Sequence, residues 1–340
     1  MVPYSLLDLA PIVQGSNARQ ALLNSRTLAQ AAEQEGYQRF WLAEHHNMTG
    51  IASAATAVVI GYVAEGTKQI RVGSGGIMLP NHSPLMVAEQ FGTLASLYPG
   101  RIDLGLGRAP GTDQLTIQAL RRYHDSVDQF PRDVQELQYY FQPATPDQAV
   151  RAVPGEGLKV PIWLLGSSLF SAQLAAALGL PFAFAAHFAP DHLQQALDLY
   201  RSRFRPSEQL SSPWCMAAIP LYAAETDEEA RYLMTSVQQQ FVALRRGTPG
   251  PLKPPVENLS EQYSAAELAA ASHALREAVV GGPEQVREGI RAFVKRTGVN
   301  EIMFSAHIYD QEKRVQSVRI AAAACRALNR SEGAATPIPD

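Results

Sequence analysis

Cysteine is nearly absent from this chain. Its 340 residues hold two, Cys215 and Cys325, too few and too far apart for a disulfide framework, which points to a reducing, cytoplasmic setting. No uninterrupted apolar run reaches the ~20 residues that a membrane-spanning helix needs. The opening residues, MVPYSLLDLAP, lack the basic start and long apolar core of a signal peptide. Positive charge is not in surplus either: 29 Lys and Arg face 32 Asp and Glu, a net charge of -3. With no basic stripe among aromatics, that balance argues against nucleic acid and against an anionic membrane surface. Two sequence signatures are missing as well. There is no H-E-x-x-H zinc motif and no clean G-x-G-x-x-G dinucleotide fingerprint.

What is present is a steady alternation. Apolar residues make up 46% of the chain, enough for a large core. Short apolar runs (YSLLDL, RFWLAE, IRVGSGGIML, RIDLGLG, PIWLLG, PFAFAA, WCMAAIPLY and EIMFSAHI) alternate with helical stretches. Asn17 and Gly36 bracket the first helix, Ser53 and Gly66 the second, and Ser83-Pro84 and Pro99-Gly100 the third. Another helix is predicted over 190–200 and one from Asp227. About eight βα units, with no break in composition, predict an α/β fold of the (β/α)8 TIM-barrel type as a single domain over 1–330, followed by a C-terminal tail, 331–340. An open doubly wound sheet is the alternative. Two insertions interrupt the rhythm, one after the fourth strand (109–160) and one between the seventh and eighth (247–263, rich in Pro and Gly). Each is either a lid over a site or a passive surface loop.

In such barrels the chemistry sits at the C-terminal strand ends. Those ends carry Glu44, His45, His46 and Asn47; Ser74, Gly75 and Gly76, with His82 further on; Gly107 and Arg108; Gly166, Ser167 and Ser168; His187; and His307. Adjacent residues of an extended segment point to opposite sides, so His45 and His46 make a poor chelate and no metal is expected. One of the two is expected to be functional and the other structural. Arg108 among glycines suits a phosphate; the competing reading pairs it with an acid such as Asp113. GSS at 166–168, where a strand gives way to a helix, offers N–H groups and a positive dipole end to an anion; an ordinary N-cap explains the serines equally well. The glycines of VGSGGIML mark either close approach of a flat ligand or tight strand packing. Arg108 and the helix start together describe a pocket for one phosphate monoester.

Three long stretches then carry a resemblance: WLAEHHNMTGIASAAT, RVGSGGIMLPNHSPLMVAEQFGTLASLYPGRIDLGLGRAPGTD and PIWLLGSSLFSAQLAAALGLPFAFAAHF. In order and content they resemble the bacterial luciferase-like, flavin-dependent monooxygenases, most of all the alkanal-monooxygenase-like, enterobacterial-type branch. The resemblance spans nearly the whole chain. It implies reduced FMN and O2 acting on a small organic substrate through a peroxyflavin, with the flavin reduced by a separate flavin reductase. It also implies a homodimer paired through helices beside the second and third strands. His45 falls on the catalytic histidine of the family, Arg108 on its phosphate-binding arginine, and Gly166 to Ser171 on its phosphate-binding helix start. Its non-proline cis peptide falls within Ser74-Gly75-Gly76. Gly107 replaces a cysteine of the luciferases and Ser167 an acid, which tells against light emission. Ile77, Leu79 and Trp41 are expected as dry walls beside the flavin, and Glu44, His46, Asn47, His82 and His187 as substrate-side or rim residues. F420-dependent hydride transfer is a weaker alternative. F420 has a longer acidic tail, and Arg121 and Arg122 are the few further cations expected near the rim. A non-catalytic flavin-binding protein is another.

Overall fold

Eight of the apolar runs form parallel strands that close on one another in a computed structural model, which describes residues 2–109, 113–121 and 128–332. The strands are β1 (Tyr4–Asp8), β2 (Arg39–Leu42), β3 (Arg71–Met78), β4 (Ile102–Gly107), β5 (Ile162–Gly166), β6 (Phe182–Phe184), β7 (Cys215–Ala223) and β9 (Glu301–Ser305). Each of β1 to β7 pairs with the next, and β9 lies between β7 and β1, so the sheet is a closed eight-stranded barrel. An open sheet is thereby excluded. The ninth strand, β8 (Val279–Gly281), pairs only with the far end of β7 and stands outside the barrel. Three residues, two valines and the first glycine of a Gly-Gly pair, were not predicted as a strand from the sequence.

Helices α1 (Ala18–Gln34), α2 (Thr56–Glu65), α3 (Pro84–Leu97), α6 (Leu169–Leu178), α7 (Leu193–Arg203), α10 (Pro283–Thr297) and α11 (Gln311–Glu332) surround the barrel. The first insertion holds α4 (Gln114–Ala119) and α5 (Phe130–Phe141). Between β7 and β9 lie α8 (Asp227–Arg245) and α9 (Ala265–Ala274). Asn17 and Ser83 cap their helices as expected, accepting from the N–H groups of Gln20 and Met86. Ser53 does not cap: α2 begins three residues later, and the Ser53 hydroxyl donates to the Ala43 carbonyl at 2.6 Å. The helix predicted over 190–200 is displaced to 193–203 because Asp191 and His192 form a turn before it, closed by the Leu193 N–H on the Pro190 carbonyl. The last eight residues of the predicted tail, 333–340, lie outside the described residues.

Alternation along the strands makes two cores. One face packs on the helices. The other fills the barrel, with Leu7, Trp41, Trp163, Met216 and Met303 among its residues. Near the closed end that interior is ionic. Arg39 on β2 meets Asp103 on β4 at 2.8 Å and Glu301 on β9 at 3.1 Å, all three buried. Arg71 reaches the second Asp103 oxygen at 2.7 Å, and Trp41 Nε1 donates to Asp103 at 3.0 Å. The Arg39 guanidinium also lies 4.9 Å from the Trp163 ring. Burial opposes the Asp103 charge, but Arg39 and Arg71 outweigh it and hold that pKa below the ordinary carboxylate value. Gly73 is needed here: a Cβ there would stand 2.5 Å from the Asp103 carbonyl and 3.0 Å from Trp41 Nε1.

Removing one partner of such a buried network leaves uncompensated charge, at a cost of about 3–5 kcal/mol. Arg39→Leu is expected to lower stability by that order in urea unfolding. A midpoint equal to that of the wild type would contradict the assignment.

Candidate active site

The C-terminal strand ends open into a cavity of about 840 Å³. Its floor is the upper barrel core, Leu7, Trp41, Met216 and Met303; Phe241 and Leu244 of α8 wall one side. Such a concave, largely apolar space suits a flat organic ligand fixed by a few polar groups.

One end of the cavity gathers Arg108 and a helix start. Arg108 follows β4 directly and stacks 4.1 Å from the Phe170 ring in the first turn of α6. Among the described residues no carboxylate pairs with it. Asp113 instead caps α4 through the Thr116 N–H, 3.0 Å away, and accepts from Asn47 Nδ2 at 3.0 Å. Ser168 is the N-cap of α6 by backbone geometry, yet its side chain bonds no helical N–H. The serines are therefore not spent on capping, and the positive end of α6 opens beside Arg108. Gly166 is required for this junction: a Cβ there would lie 2.3 Å from Ser171 Oγ. Gly107, Arg108, Gly166, Ser167, Ser168 and Ser171 all line the cavity. Pro110 and Gly111, which end the GLGRAPG stretch, lie outside the described residues.

The two adjacent histidines part company. His45 lines the cavity. Glu44 and His46 turn away from it. The buried Glu44 carboxylate receives His46 Nε2 at 2.6 Å and His82 Nε2 at 2.8 Å on one oxygen, and the Met78 N–H at 2.9 Å on the other. Burial raises the Glu44 pKa, but the two imidazoles and the Met78 N–H together hold it below the ordinary value. A carboxylate only accepts, so both imidazoles donate to it. The same three side chains bring ligand-type atoms within 4.8 Å of one another, and their distances are those of hydrogen bonds. Glu44 thus ties the segment after β2 to the end of β3 and to the turn that carries His82, and this fixes His45 between two anchored neighbours.

Gly75 and Gly76 line the cavity and are joined by a cis peptide bond. Ser74 is not part of that surface. It is buried, its hydroxyl donating to the Gly105 carbonyl at 2.8 Å and accepting from the Gly105 N–H at 2.9 Å. Ile77 and Leu79 pack in the helix-side core, so Met78, not they, faces the cavity. Asn47 and His82 stay outside it. The 247–263 segment is more than a passive loop. Leu252 is buried and exchanges backbone bonds with Ile12 and Gln14, while Pro249 touches the cavity.

His187, after β6, and His307, after β9, also line the cavity. Burial, then His307 and His45, push the His187 pKa down to about 3; burial and Arg314, then His45, hold His307 down to about 4 against the opposing pull of Asp8. Both are neutral near pH 7. The sequence reading missed Tyr222, Phe241 and Arg245 as cavity residues. Tyr222 sits on β7 in the same alternation as Met216, Ala218 and Pro220, which is the one signal that pointed there.

A closed parallel barrel whose C-terminal rim gathers a large cavity, an arginine beside an open helix start and a histidine has the architecture of a TIM-barrel enzyme. The chain matches the luciferase-like monooxygenase family over residues 5–301, and it belongs to that family. A luciferase-like monooxygenase of Escherichia coli (strain K12) is 56% identical over 321 residues, 94% of this chain and 96% of its own. The N-acetyl-S-alkylcysteine monooxygenase of Bacillus subtilis (strain 168) is 40% identical over 254 residues, 73% of this chain and 75% of its own. Crystalline apo-MsnO8 has a TM-score of 0.84 at 35% identity, covering 96% of this chain and 99% of its own. Two others share the fold alone. The oxygenating constituent of 3,6-diketocamphane monooxygenase, in complex with FMN, has a TM-score of 0.71 at 18% identity, covering 94% of this chain and 96% of its own. An F420-dependent secondary alcohol dehydrogenase has a TM-score of 0.70 at 16% identity, covering 95% and 98%.

The depressed histidines set a pH dependence. Unfolded, they take up protons near pH 6.5; folded, only near 3 and 4. The unfolded chain thus binds more protons as the pH falls below about 6.5, and stability drops. Urea midpoints should decline between about pH 6.5 and 5, and less in a His187→Leu/His307→Met double variant. An identical decline in both proteins would refute the assignment.

Proposed function

We propose that this oxidoreductase is a two-component monooxygenase that uses reduced FMN and O2 on a small, largely apolar organic substrate. The observation that carries this reading is the pairing, in one cavity, of the Arg108–α6 anion cradle with His45. When bound, reduced FMN supplies the electrons that activate O2. The chain's own residues do the rest. The Arg108 guanidinium and the first N–H groups of α6 bind the phosphate. Gly75 and Gly76, packed against Leu7, Trp41 and the Gly105 backbone, present main chain to the cavity where a flat ring would lie. His45 gives or takes the proton at its ring nitrogen, as the general acid or base of the site. The apolar wall of Met216, Met303 and Phe241 excludes water. No nicotinamide fingerprint is present, so a separate flavin reductase supplies the reduced cofactor.

Arg245 at the cavity wall is the observation that favours F420, whose acidic tail needs added cations. Against it, the rim carries little other positive charge; Arg121 ends α4, and Arg122 lies outside the described residues. No helix among the described residues is long and apolar enough to cross a membrane. Both cysteines are buried and free, which fits a cytoplasmic enzyme. Val58 on α2 and Met86 and Leu97 on α3 are 73%, 57% and 64% exposed. That apolar face supports a homodimer paired through these helices.

Arg108→Ala removes a charge-assisted contact of about 1.5–3 kcal/mol, so FMN should bind roughly 10- to 100-fold more weakly while riboflavin is unaffected. Equal loss for both ligands by fluorescence titration would remove Arg108 from the phosphate site. Light scattering on a sizing column should give a dimer, and Val58→Asp/Met86→Asp should give a monomer; a monomeric wild type rules the pairing out.

A further inference from the structure

Among the described residues, the cavity is lined by two arginines and by no carboxylate. That bias is local, because acids outnumber bases 32 to 29 in the chain as a whole. One of the two is Arg108, which the phosphate occupies in the reading above. The other is Arg245, and the single phosphate of FMN leaves it unused. Arg245 reaches the cavity from α8. Val237, Gln240, Phe241, Leu244 and Arg245 recur at helical spacing, fall on one face of that helix and all line the cavity. The face is apolar except for Gln240 and, in its last turn, Arg245.

The neighbours of Arg245 are committed and it is not. Arg246 bonds Glu267 at 2.6 Å and lies 5.2 Å from the Tyr263 ring. The Thr248 N–H closes on the Ala243 carbonyl at 2.9 Å, and Leu252 exchanges backbone bonds with Ile12 and Gln14. The end of α8 is thereby fixed over the cavity, yet among the described residues no acid, carbonyl or ring meets the Arg245 guanidinium. A cation in the last turn complements the helix dipole; that accounts for the charge but not for its place on a cavity wall that holds no acid. The partner's chemistry is set by what is there. With Arg246 spent on Glu267, one guanidinium balances one negative charge. Its planar fork matches a carboxylate through two parallel N–H···O bonds. Phe241 and Leu244, one turn back on the same face, offer apolar surface to a carbon skeleton.

We propose that Arg245 determines substrate specificity by binding a carboxylate of the organic substrate, whose apolar body lies along Phe241 and Leu244. This rests on the monooxygenase reading above and adds the class of substrate to it: an organic acid with an apolar body.

The test uses the full chain saturated with oxidised FMN, so that Arg108 is occupied, and calorimetric titration with three eight-carbon probes: octanoate, octan-1-ol and octylammonium. Octanoate should bind about tenfold more tightly than octan-1-ol, and octylammonium more weakly than either. The advantage should shrink as salt is raised, because Arg245 is exposed. Arg245→Met keeps a long side chain of good helix propensity; it should lose the octanoate advantage and bind octan-1-ol as the wild type does. Arg245→Lys keeps the charge at the helix end but not the fork, and should retain only part of the advantage. The proposal is overturned if the wild type binds octanoate no more tightly than octan-1-ol. It is overturned equally if Arg245→Met loses both probes together, the result expected of a residue that only stabilises α8. F420 is the other source of carboxylates: an Arg245→Met protein that loses F420 but keeps its preference for octanoate assigns the residue to a cofactor tail and overturns the proposal too. Failure of the wild type to bind FMN sinks the flavin reading instead, and the same probes on the FMN-free protein, with Arg108→Ala as the background, then decide the role of Arg245 separately.

Discussion

Arg39 is the constraint on which the rest of this barrel depends. A guanidinium inside a barrel of eight strands is costly unless it is paired; Arg39 is paired through Nε and Nη1, while its Nη2 has no hydrogen-bond partner among the described residues. Here β4 supplies Asp103, β9 supplies Glu301, β5 supplies the face of Trp163, and Ser5 on β1 donates to Glu301. Staves distant in sequence are thereby set in register. The network also fills the closed end of the barrel, so the large indoles of Trp41 and Trp163 stack above it, 5.2 Å apart and edge to face. Those indoles form the base on which the cavity stands. Glycine at 73 and 105 follows from the same crowding, because a Cβ at 105 would stand 2.1 Å from the Ser74 carbonyl.

Above that floor, Arg108 stacks on Phe170 beside the uncapped start of α6, and the field is positive. His187, after the neighbouring β6, and His307, after β9, are kept neutral by burial. His45 is placed by neighbours that face away from it. Glu44 draws in His46, His82 and the Met78 N–H. Four groups meet in that one knot, and its effect on the site is positional.

Most of this was legible in the sequence, for identifiable reasons. Asn17 and Ser83 marked helix starts because capping is local. The opposite directions of His45 and His46 followed from alternation. Ser53 misled because its hydroxyl had a tertiary partner, the Ala43 carbonyl, which no local rule reveals. Ser74 was expected at the cofactor and is instead a clamp between β3 and β4; its neighbours Gly75 and Gly76 face the cavity. Ile77 and Leu79 were expected as cavity walls, but the register irregularity between Ser74 and Ile77 reassigns which side chains face inward. β8 is held by its pairing with β7 and has no pattern of its own. The ionic network was invisible because its bonded partners are 32 or more residues apart in the chain.

The most direct test of the central claim is stopped-flow absorbance. The protein, loaded anaerobically with reduced FMN, is mixed with oxygenated buffer, and the return of the oxidised-flavin band is timed against free reduced FMN. A return markedly slower than in the protein-free reaction, and faster again in Arg108→Ala, is the result predicted for a cavity that holds the flavin by its phosphate and keeps water out. Return at the protein-free rate contradicts the monooxygenase account.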